Sequence, residues 1–205
     1  MSRPVVPDIV IRRLTTYLQT LKHMAERGKT VASSSEIGRR AGVSPAQFRK
    51  DLSHFGEYGR QGLGYDVIFL RSQIEQILQI DQVWHVALIG AGALGHALMN
   101  YEAFVQGQFP IEAIFDNDPA KVNTLVGKRQ ILPMDLLNET VCDRHIEIAI
   151  LAVPAAAAQQ VANQAIASGI RSLLNYAPIT LAVPTGVHVR NIDPVASLQT
   201  MTYYL

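Results

Sequence analysis

Three glycines, Gly90, Gly92 and Gly95, stand directly behind the apolar run Val86-Ala87-Leu88-Ile89, and a helical pattern begins at once. This is the spacing of a phosphate-cradling turn. The first glycine permits a tight bend, the second lets backbone approach a pyrophosphate, and the third lets helix pack close to strand. The pyrophosphate would rest on the N–H groups and positive dipole end offered by the stretch Gly90, Ala91, Gly92, Ala93, Leu94 and Gly95. A second apolar run, Ile111-Glu112-Ala113-Ile114-Phe115, leads to Asp116, about 20 residues past the last glycine, where the fingerprint places an acid for the adenosine ribose. Asp116 would accept from a ribose 2′-hydroxyl and repel a 2′-phosphate. No arginine follows it immediately, so NAD(H) is expected over NADP(H). The bland alternative is a glycine-rich strand–helix turn that binds nothing. Against it stand the strand before the motif, the helix after it and the second strand beyond, which are the context the motif requires.

The elements that must position these residues are legible from periodicity. After the glycine turn, Leu94, Ala97, Leu98, Tyr101, Phe104 and Val105 recur at helical spacing and predict one helix with its apolar face on a sheet. From residue 83 onward apolar runs alternate with helical patterns, the mark of a Rossmann-type parallel α/β sheet covered on both faces. Strands are expected at 84–89, 111–115, about 145–153 and 171–176, with a further short run at 187–192. Ligands of such sheets bind outside the carboxyl ends of the strands. Ala152, Val153 and Pro154, and Asn175, Ala177 and Pro178, are therefore expected at the nicotinamide end of the site. The chain closes with a short helix that has Asp193 as N-cap, Pro194 at its first position and an apolar stripe of Leu198, Met201 and Leu205. That stripe can cap its own domain or dock on a second copy.

The amino-terminal third has a different grammar. Val10, Leu14, Tyr17, Leu18, Leu21 and Ala25 trace one face of a first helix, which ends near Arg27-Gly28. Ser33-Ser34-Ser35-Glu36 and Ser44-Pro45-Ala46-Gln47 are two capping boxes, each opening a short helix, with Ala41-Gly42 as the tight turn between them and the second helix expected through Phe48, Arg49, Lys50, Leu52 and Phe55. Two short helices joined in this way form a helix-turn-helix, whose second helix would lie in a DNA major groove. Ser44, Gln47, Arg49 and Lys50 are then the candidate base readers or phosphate clamps. An ordinary helical bundle with a solvated basic face has the same pattern. The stretch from Phe55 to Tyr65 places four glycines in the nine positions 56–64 and reads as a tight hairpin, with Arg60 and Gln61 near its tip. A hairpin after a recognition helix is the wing of a winged helix, and its tip arginine can enter a narrow minor groove. A flexible glycine loop is the alternative. Val67, Leu70, Ile74, Ile77 and Leu78 then predict one more helix before the crossing at Asp81-Gln82.

Charge follows the same division. The net charge of +1 combines 12 Lys and Arg against 7 Asp and Glu in residues 1–80 with 6 against 10 in residues 81–205. A basic head on an acidic body points to two domains with different partners, nucleic acid being the natural one for the head. The expected division is a DNA-binding domain over 1–80, an NAD(H)-binding domain over 81–192 and a dimerising helix over 193–205. Hydrophobic content of 48% and charged content of 17% describe a globular protein. No apolar run approaches the ~18 residues of a bilayer span, and the start Met1-Ser2-Arg3-Pro4 lacks the apolar core of a signal peptide. The single cysteine, Cys142, excludes an intramolecular disulfide, which suits a reducing cytoplasm.

Taken together, the motifs resemble one family, the Rex redox-sensing transcriptional repressors. The resemblance is carried by Val43-Ser44-Pro45-Ala46-Gln47-Phe48-Arg49-Lys50-Asp51, Phe55-Gly56-Glu57-Tyr58-Gly59, Gly62-Leu63-Gly64-Tyr65 and the glycine turn extended to Asn100-Tyr101. Phe115-Asp116, Leu151 to Pro154, Leu174 to Pro178 and Asn191-Ile192-Asp193 extend it over nearly the whole chain. It implies a homodimer with winged-helix heads and Rossmann bodies, and a terminal helix exchanged between subunits. It also implies repression at a near-palindromic operator in double-stranded DNA while NAD⁺ predominates, with release when NADH binds. Tyr101 and Asp193 would by this resemblance belong to a switch at the nicotinamide end. Gln19 departs from the pattern, because relatives often have there an arginine that can pair with the aspartate matching Asp193. No catalytic residue, metal or membrane contact is expected. A small NAD-dependent oxidoreductase is the alternative, weakened because the Rossmann unit uses up the chain and His54, His85 and His96 have no convincing acid–base placement. A protein using NAD only as a structural prop is the third possibility.

Overall fold

A computed structural model describes residues 6–59, 62–105 and 107–205. The chain divides into two compact units, one ending at Gln82 and the other spanning Val83–Leu205.

The first unit is built from α1 (Asp8–Glu26), β1 (Val31–Ala32), α2 (Ser34–Ala41), α3 (Pro45–Leu52), β2 (Tyr65–Asp66) and α4 (Val67–Ile77). Both serine caps form as expected: Ser33 Oγ accepts from the Glu36 N–H and Ser44 Oγ from the Gln47 N–H, each at 3.1 Å. Gly42, at φ 72°, takes the left-handed conformation that ends α2 and turns the chain into α3. Leu14, Tyr17, Leu21, Ile37, Phe48, Leu70 and Ile74 are fully buried and form the core. Phe48 packs edge-on between Tyr17 (4.9 Å between centroids) and Tyr65 (5.3 Å), the geometry that ring quadrupoles favour.

Two expectations are corrected in this unit. α3 ends at Leu52, with Ser53 as its C-cap, and does not run on to Phe55. The returning strand β2 pairs with β1, in the register Val31↔Asp66 and Ala32↔Tyr65, and residues 56–59 have no strand conformation. The small sheet therefore joins the arm after α3 to the segment before α2. The expected tip residues Arg60 and Gln61 lie outside the described residues.

The second unit is a seven-stranded sheet. In chain order it comprises β3 (Val86–Ile89), α5 (Ala93–Met99), α6 (Glu102–Val105), β4 (Ile111–Asp116), β5 (Leu125–Val126) and β6 (Arg129–Pro133), then a 3₁₀ turn (Met134–Leu136) and α7 (Leu137–Asp143). β7 (Ile148–Leu151), α8 (Ala155–Ala167), β8 (Ser172–Asn175), β9 (His188–Asn191) and α9 (Pro194–Thr202) complete it. The spatial order is β5-β6-β4-β3-β7-β8-β9, parallel throughout except for the β5–β6 edge hairpin. Winding starts at β3 and proceeds outward in both directions, so the order reverses between β3 and β7. That reversal opens a crevice at the carboxyl ends of the strands. Every residue of β3 is buried, as expected of a central strand covered on both faces.

The strand-rich edge formed by β5 and β6 was not expected. Its sequence, Leu125 to Pro133, has Gly127-Lys128-Arg129 at its centre and lacks a continuous apolar run. The helix expected from Leu94 to Val105 is also broken. Asn100 turns its side-chain amide back to the His96 carbonyl at 3.0 Å and caps α5, after which α6 starts afresh. Tyr101 consequently leaves the apolar face and is 60% exposed, with its ring 5.7 Å from that of Phe104.

Candidate functional site

The glycine turn connects β3 to α5, and its three glycines are constrained in different ways. Gly90 has φ 105°, and a Cβ there would lie 2.4 Å from the Ala152 carbonyl at the end of β7. A Cβ on Gly95 would lie 2.2 Å from the Gly90 carbonyl. Both positions are closed to a larger residue by the fold itself. At Gly92 a Cβ would meet nothing within 4 Å, and its φ of −85° suits any residue. The space beside Gly92 therefore belongs to the cavity and not to the protein's own packing.

That cavity has a volume of about 710 Å³, within the usual range for a small-molecule site. Gly90, Gly92, Ala93, Leu94, Asp116, Ala152, Val153 and Pro154, all expected from the sequence, line it. Asn117, Asp118, Lys121, Met134 and Asp135, and also Ala157, Gln160, Val161 and Gln164 on α8, line it as well and are not among the residues expected from the sequence. The α8 residues fall at i, i+3, i+4 and i+7, one face of the helix that leaves the switch point. That spacing, placed just after a strand whose carboxyl end was already expected at the site, was a usable signal. First-turn N–H groups of a helix have no intrahelical acceptor, so those of α5 can donate into the cavity beside Gly92.

Asp116 stands at the end of β4 and is 7% exposed. Its Oδ2 accepts from the Ala91 N–H at 2.8 Å and from Lys121 Nζ at 3.1 Å, and its Oδ1 accepts from the Asp118 N–H at 2.9 Å. Burial pushes this carboxyl up. The N–H groups of Asp118 and Ala91 and the Lys121 ammonium more than offset that and hold it below the ordinary carboxylate range. An ionised carboxylate accepts at about four lone-pair sites, so one remains for a hydroxyl donor. Ala91, buried at the turn, thus acts through its N–H on Asp116. The residues present fit an adenosine ribose and its pyrophosphate: a fixed anion, an open glycine and a helix start share one crevice.

Other expected site residues are placed differently. Asn175 is fully buried and its Nδ2 donates to the carbonyls of Ala177 (3.1 Å) and Ile179 (3.0 Å) and to Asn191 Oδ1 (3.0 Å). Its Oδ1 accepts from the Ala177 N–H at 3.0 Å, so it shapes the loop containing Ala177 and Pro178 and ties β8 to β9. Asp193 caps α9, its Oδ1 accepting from the Val195 and Ala196 N–H groups at 2.9 and 3.2 Å.

In the first unit Ser44 is occupied as a cap, and Arg49 Nη1 donates to Ser34 Oγ at 2.8 Å. Arg49 and Lys50 are exposed on α3, and Arg39 and Arg40 are exposed at the end of α2. Gln47 turns inward and its Nε2 donates to Asp51 Oδ1 at 2.7 Å. Asp51, 1% exposed, also accepts from Tyr17 Oη at 2.7 Å and from the Arg13 guanidinium, whose Nη2 donates to Oδ1 at 2.7 Å and whose Nε donates to Oδ2. This network fixes α3 to α1. A helix with an exposed basic face and a buried anchor is suited to hold cations at a phosphate backbone.

Residues 5–53 match the family described as "Putative DNA-binding protein N-terminus", and residues 81–179 match the CoA binding domain. The redox-sensing transcriptional repressor Rex of Chloroflexus aggregans is 49% identical over 199 residues, which cover 97% of this chain and 94% of that protein. The chain belongs to the Rex family. Rex of Brevibacillus brevis is 42% identical over 98% of this chain and 97% of its own length. Among solved structures, RSP, a Rex-family repressor, superposes with a TM-score of 0.89 at 31% identity, covering 98% of this chain and 94% of that one. RSP in complex with β-NAD⁺ and operator DNA gives a TM-score of 0.92 at 33% identity, covering 98% and 93%. As a Rex protein the chain is a redox-sensing transcriptional repressor and not an enzyme. The winged-helix and Rossmann units are those of this family.

Proposed function

We propose that this chain acts in the cytoplasm as a homodimer that holds operator DNA while NAD⁺ predominates and releases it on binding NADH. The observation that carries the reading is the crevice at the switch point, where Gly92 leaves room that no protein atom fills and Asp116 presents a fixed carboxylate. Relatives support it: RSP has been solved both with β-NAD⁺ and operator DNA and with β-NADH.

In this reading Asp116 accepts from the adenosine ribose. The N–H groups of Gly92, Ala93 and Leu94 hold the pyrophosphate, and Ala152, Val153 and Pro154 form the apolar wall at the nicotinamide end. The nicotinamide supplies the signal, being cationic when oxidised and neutral when reduced. An apolar wall discriminates against the charged form, because burying a charge without a partner is costly. Asn175 orders the loop carrying Ala177 and Pro178, and Tyr101 and Asp193 complete the switch. Gln19 is exposed and uncharged, so no ion pair from that position to Asp193 contributes to the DNA-bound state. On the DNA side Arg49 and Lys50 engage the major groove or its phosphates, with Arg60 and Gln61 at the wing, while Ser44 and Gln47 hold α3 in shape. A twofold dimer reads a near-palindromic operator whose half-sites lie about one or two helical turns apart.

Release requires that NADH bind the off-DNA state more tightly than the on-DNA state. Operator binding by the intact protein, titrated with NADH and with NAD⁺, tests this directly. A tenfold loss of operator affinity in saturating NADH, or about 1.4 kcal/mol of coupling, is the expected result. Equal affinity with and without NADH overturns the reading.

A further inference from the structure

The rim of the cavity beyond the end of β4 is charged. Asp116, Asp118 and Asp135 line it, and Lys121 is the one cation among the described residues that do. Lys121 is brought there by a turn: its own N–H and that of Val122 both donate to the Asp118 carbonyl, at 2.9 and 3.0 Å. The turn folds the side chain back so that Nζ lies 3.1 Å from Asp116 Oδ2 and 3.7 Å from Asp118 Oδ2. Its side chain is 39% exposed, so the ammonium is shared between the carboxylates and the open crevice.

We infer that Lys121 is a second determinant of which adenosine ribose the site accepts, opposed in sign to Asp116. The inference rests on the proposed placement of the ribose at Asp116. Asp116 alone would reject a 2′-phosphate by charge repulsion and by lacking a donor. Lys121 lies within hydrogen-bonding distance of the same carboxylate, neutralises part of its field and holds donors where a 2′-phosphate would sit. As long as Asp116 is ionised, it engages that ammonium, and the preference for an unphosphorylated ribose holds. Removing the negative charge frees the lysine to bind phosphate as a point charge. Selectivity at this rim is thus a balance between one anion and one cation, not the property of the aspartate alone.

The test is a double-mutant cycle on the intact protein, with dissociation constants measured for NADH and NADPH. Asp116→Asn is expected to tighten NADPH binding at least tenfold relative to NADH. Adding Lys121→Ala to that variant is expected to abolish the gain, whereas adding Lys121→Arg retains most of it. Lys121→Ala by itself is expected to widen the preference for NADH about threefold or more, because two carboxylates are left without their counter-charge. An NADPH gain of the same size in D116N and in D116N/K121A overturns the inference. So does an unchanged NADH-to-NADPH ratio in K121A. Failure of the unmodified protein to bind NADH at all overturns the placement of the dinucleotide itself, and with it this inference. Thermal unfolding of each variant identifies loss of fold. If D116N/K121A unfolds, loss of the NADPH gain in the charge-retaining D116N/K121R serves as the contrary result.

Discussion

Asp51 shows how one buried carboxylate can serve a surface it never touches. It lies on the inner side of α3 and accepts from Arg13, Tyr17 and Gln47, while Arg49 and Lys50 on the same helix face outward. Burial raises its carboxyl, but hydrogen bonds from Arg13, Tyr17 and Gln47 and the Arg13 charge more than compensate, so it titrates below its ordinary range. The Arg13 guanidinium is raised, chiefly through its hydrogen bond to Asp51, and the Tyr17 phenol is raised by burial and then by its own hydrogen bond to Asp51. A carboxyl lowered on folding contributes its full stability above its unfolded value, about 3.9, and loses it as the pH falls through the folded value. The stability of the amino-terminal unit against thermal unfolding is therefore expected to fall as the pH drops below about 4, and Asp51→Asn should flatten that dependence. Asp51→Ala leaves the buried Tyr17 hydroxyl without its acceptor and the partly exposed guanidinium without its anion, and should cost about 1–3 kcal/mol at neutral pH, measured by denaturant unfolding. An Asp51→Ala protein as stable as the unmodified one would refute the anchoring role.

At the scale of the element, the β3–α5 turn separates what the fold needs from what a ligand needs. Gly95 and Gly90 are pressed against backbone, and Gly92 is not. Gly95→Ala forces a Cβ onto the Gly90 carbonyl and is expected to destabilise the Rossmann unit by about 1–3 kcal/mol, as overpacking does. Gly92→Ala meets no protein atom, so stability should stay within about 0.5 kcal/mol, as at an unconstrained surface position. Its Cβ enters the space assigned to the pyrophosphate, and NADH affinity should fall tenfold or more. Calorimetric unfolding and NADH titration on the two variants read these effects separately. A G92A protein that binds NADH normally would show that the open space is not the pyrophosphate site.

For the whole molecule the terminal helix is the telling element. α9 has no buried residue within its own chain, and Val195, Leu198 and Met201 are each about 60% exposed, followed by exposed Tyr203, Tyr204 and Leu205. A helix with such a stripe and no apolar partner among the described residues is stable when a second surface covers it. This supports exchange of the helix in a homodimer. Removing residues 194–205 should shift the protein from dimer to monomer in sedimentation or light scattering at micromolar concentration and weaken binding to a two-half-site operator. A truncated protein that remains fully dimeric would refute the exchange.

Features governed by local rules are readable from residue order alone. The two serine caps, the Gly42 turn and the β3–glycine–α5 unit each follow from residues within about one turn or one strand of each other, and Asp116 follows from its fixed spacing beyond that unit. Other features depend on residues that folding brings together from farther along the chain or through an unexpected turn. Gln47 reads as a base contact until Asp51 and the Arg13 and Tyr17 side chains of α1 draw it inward. The β2 strand finds β1 across the unit instead of a neighbour in a hairpin, and Asn100 breaks a helix that periodicity continued. Lys121, five residues beyond Asp116, becomes part of the site only because the Asp118 turn folds it back. Periodicity records which face of an element is apolar. It contains no information on which distant polar group that face will meet, because such meetings are set by packing and by the need to satisfy buried hydrogen-bonding groups.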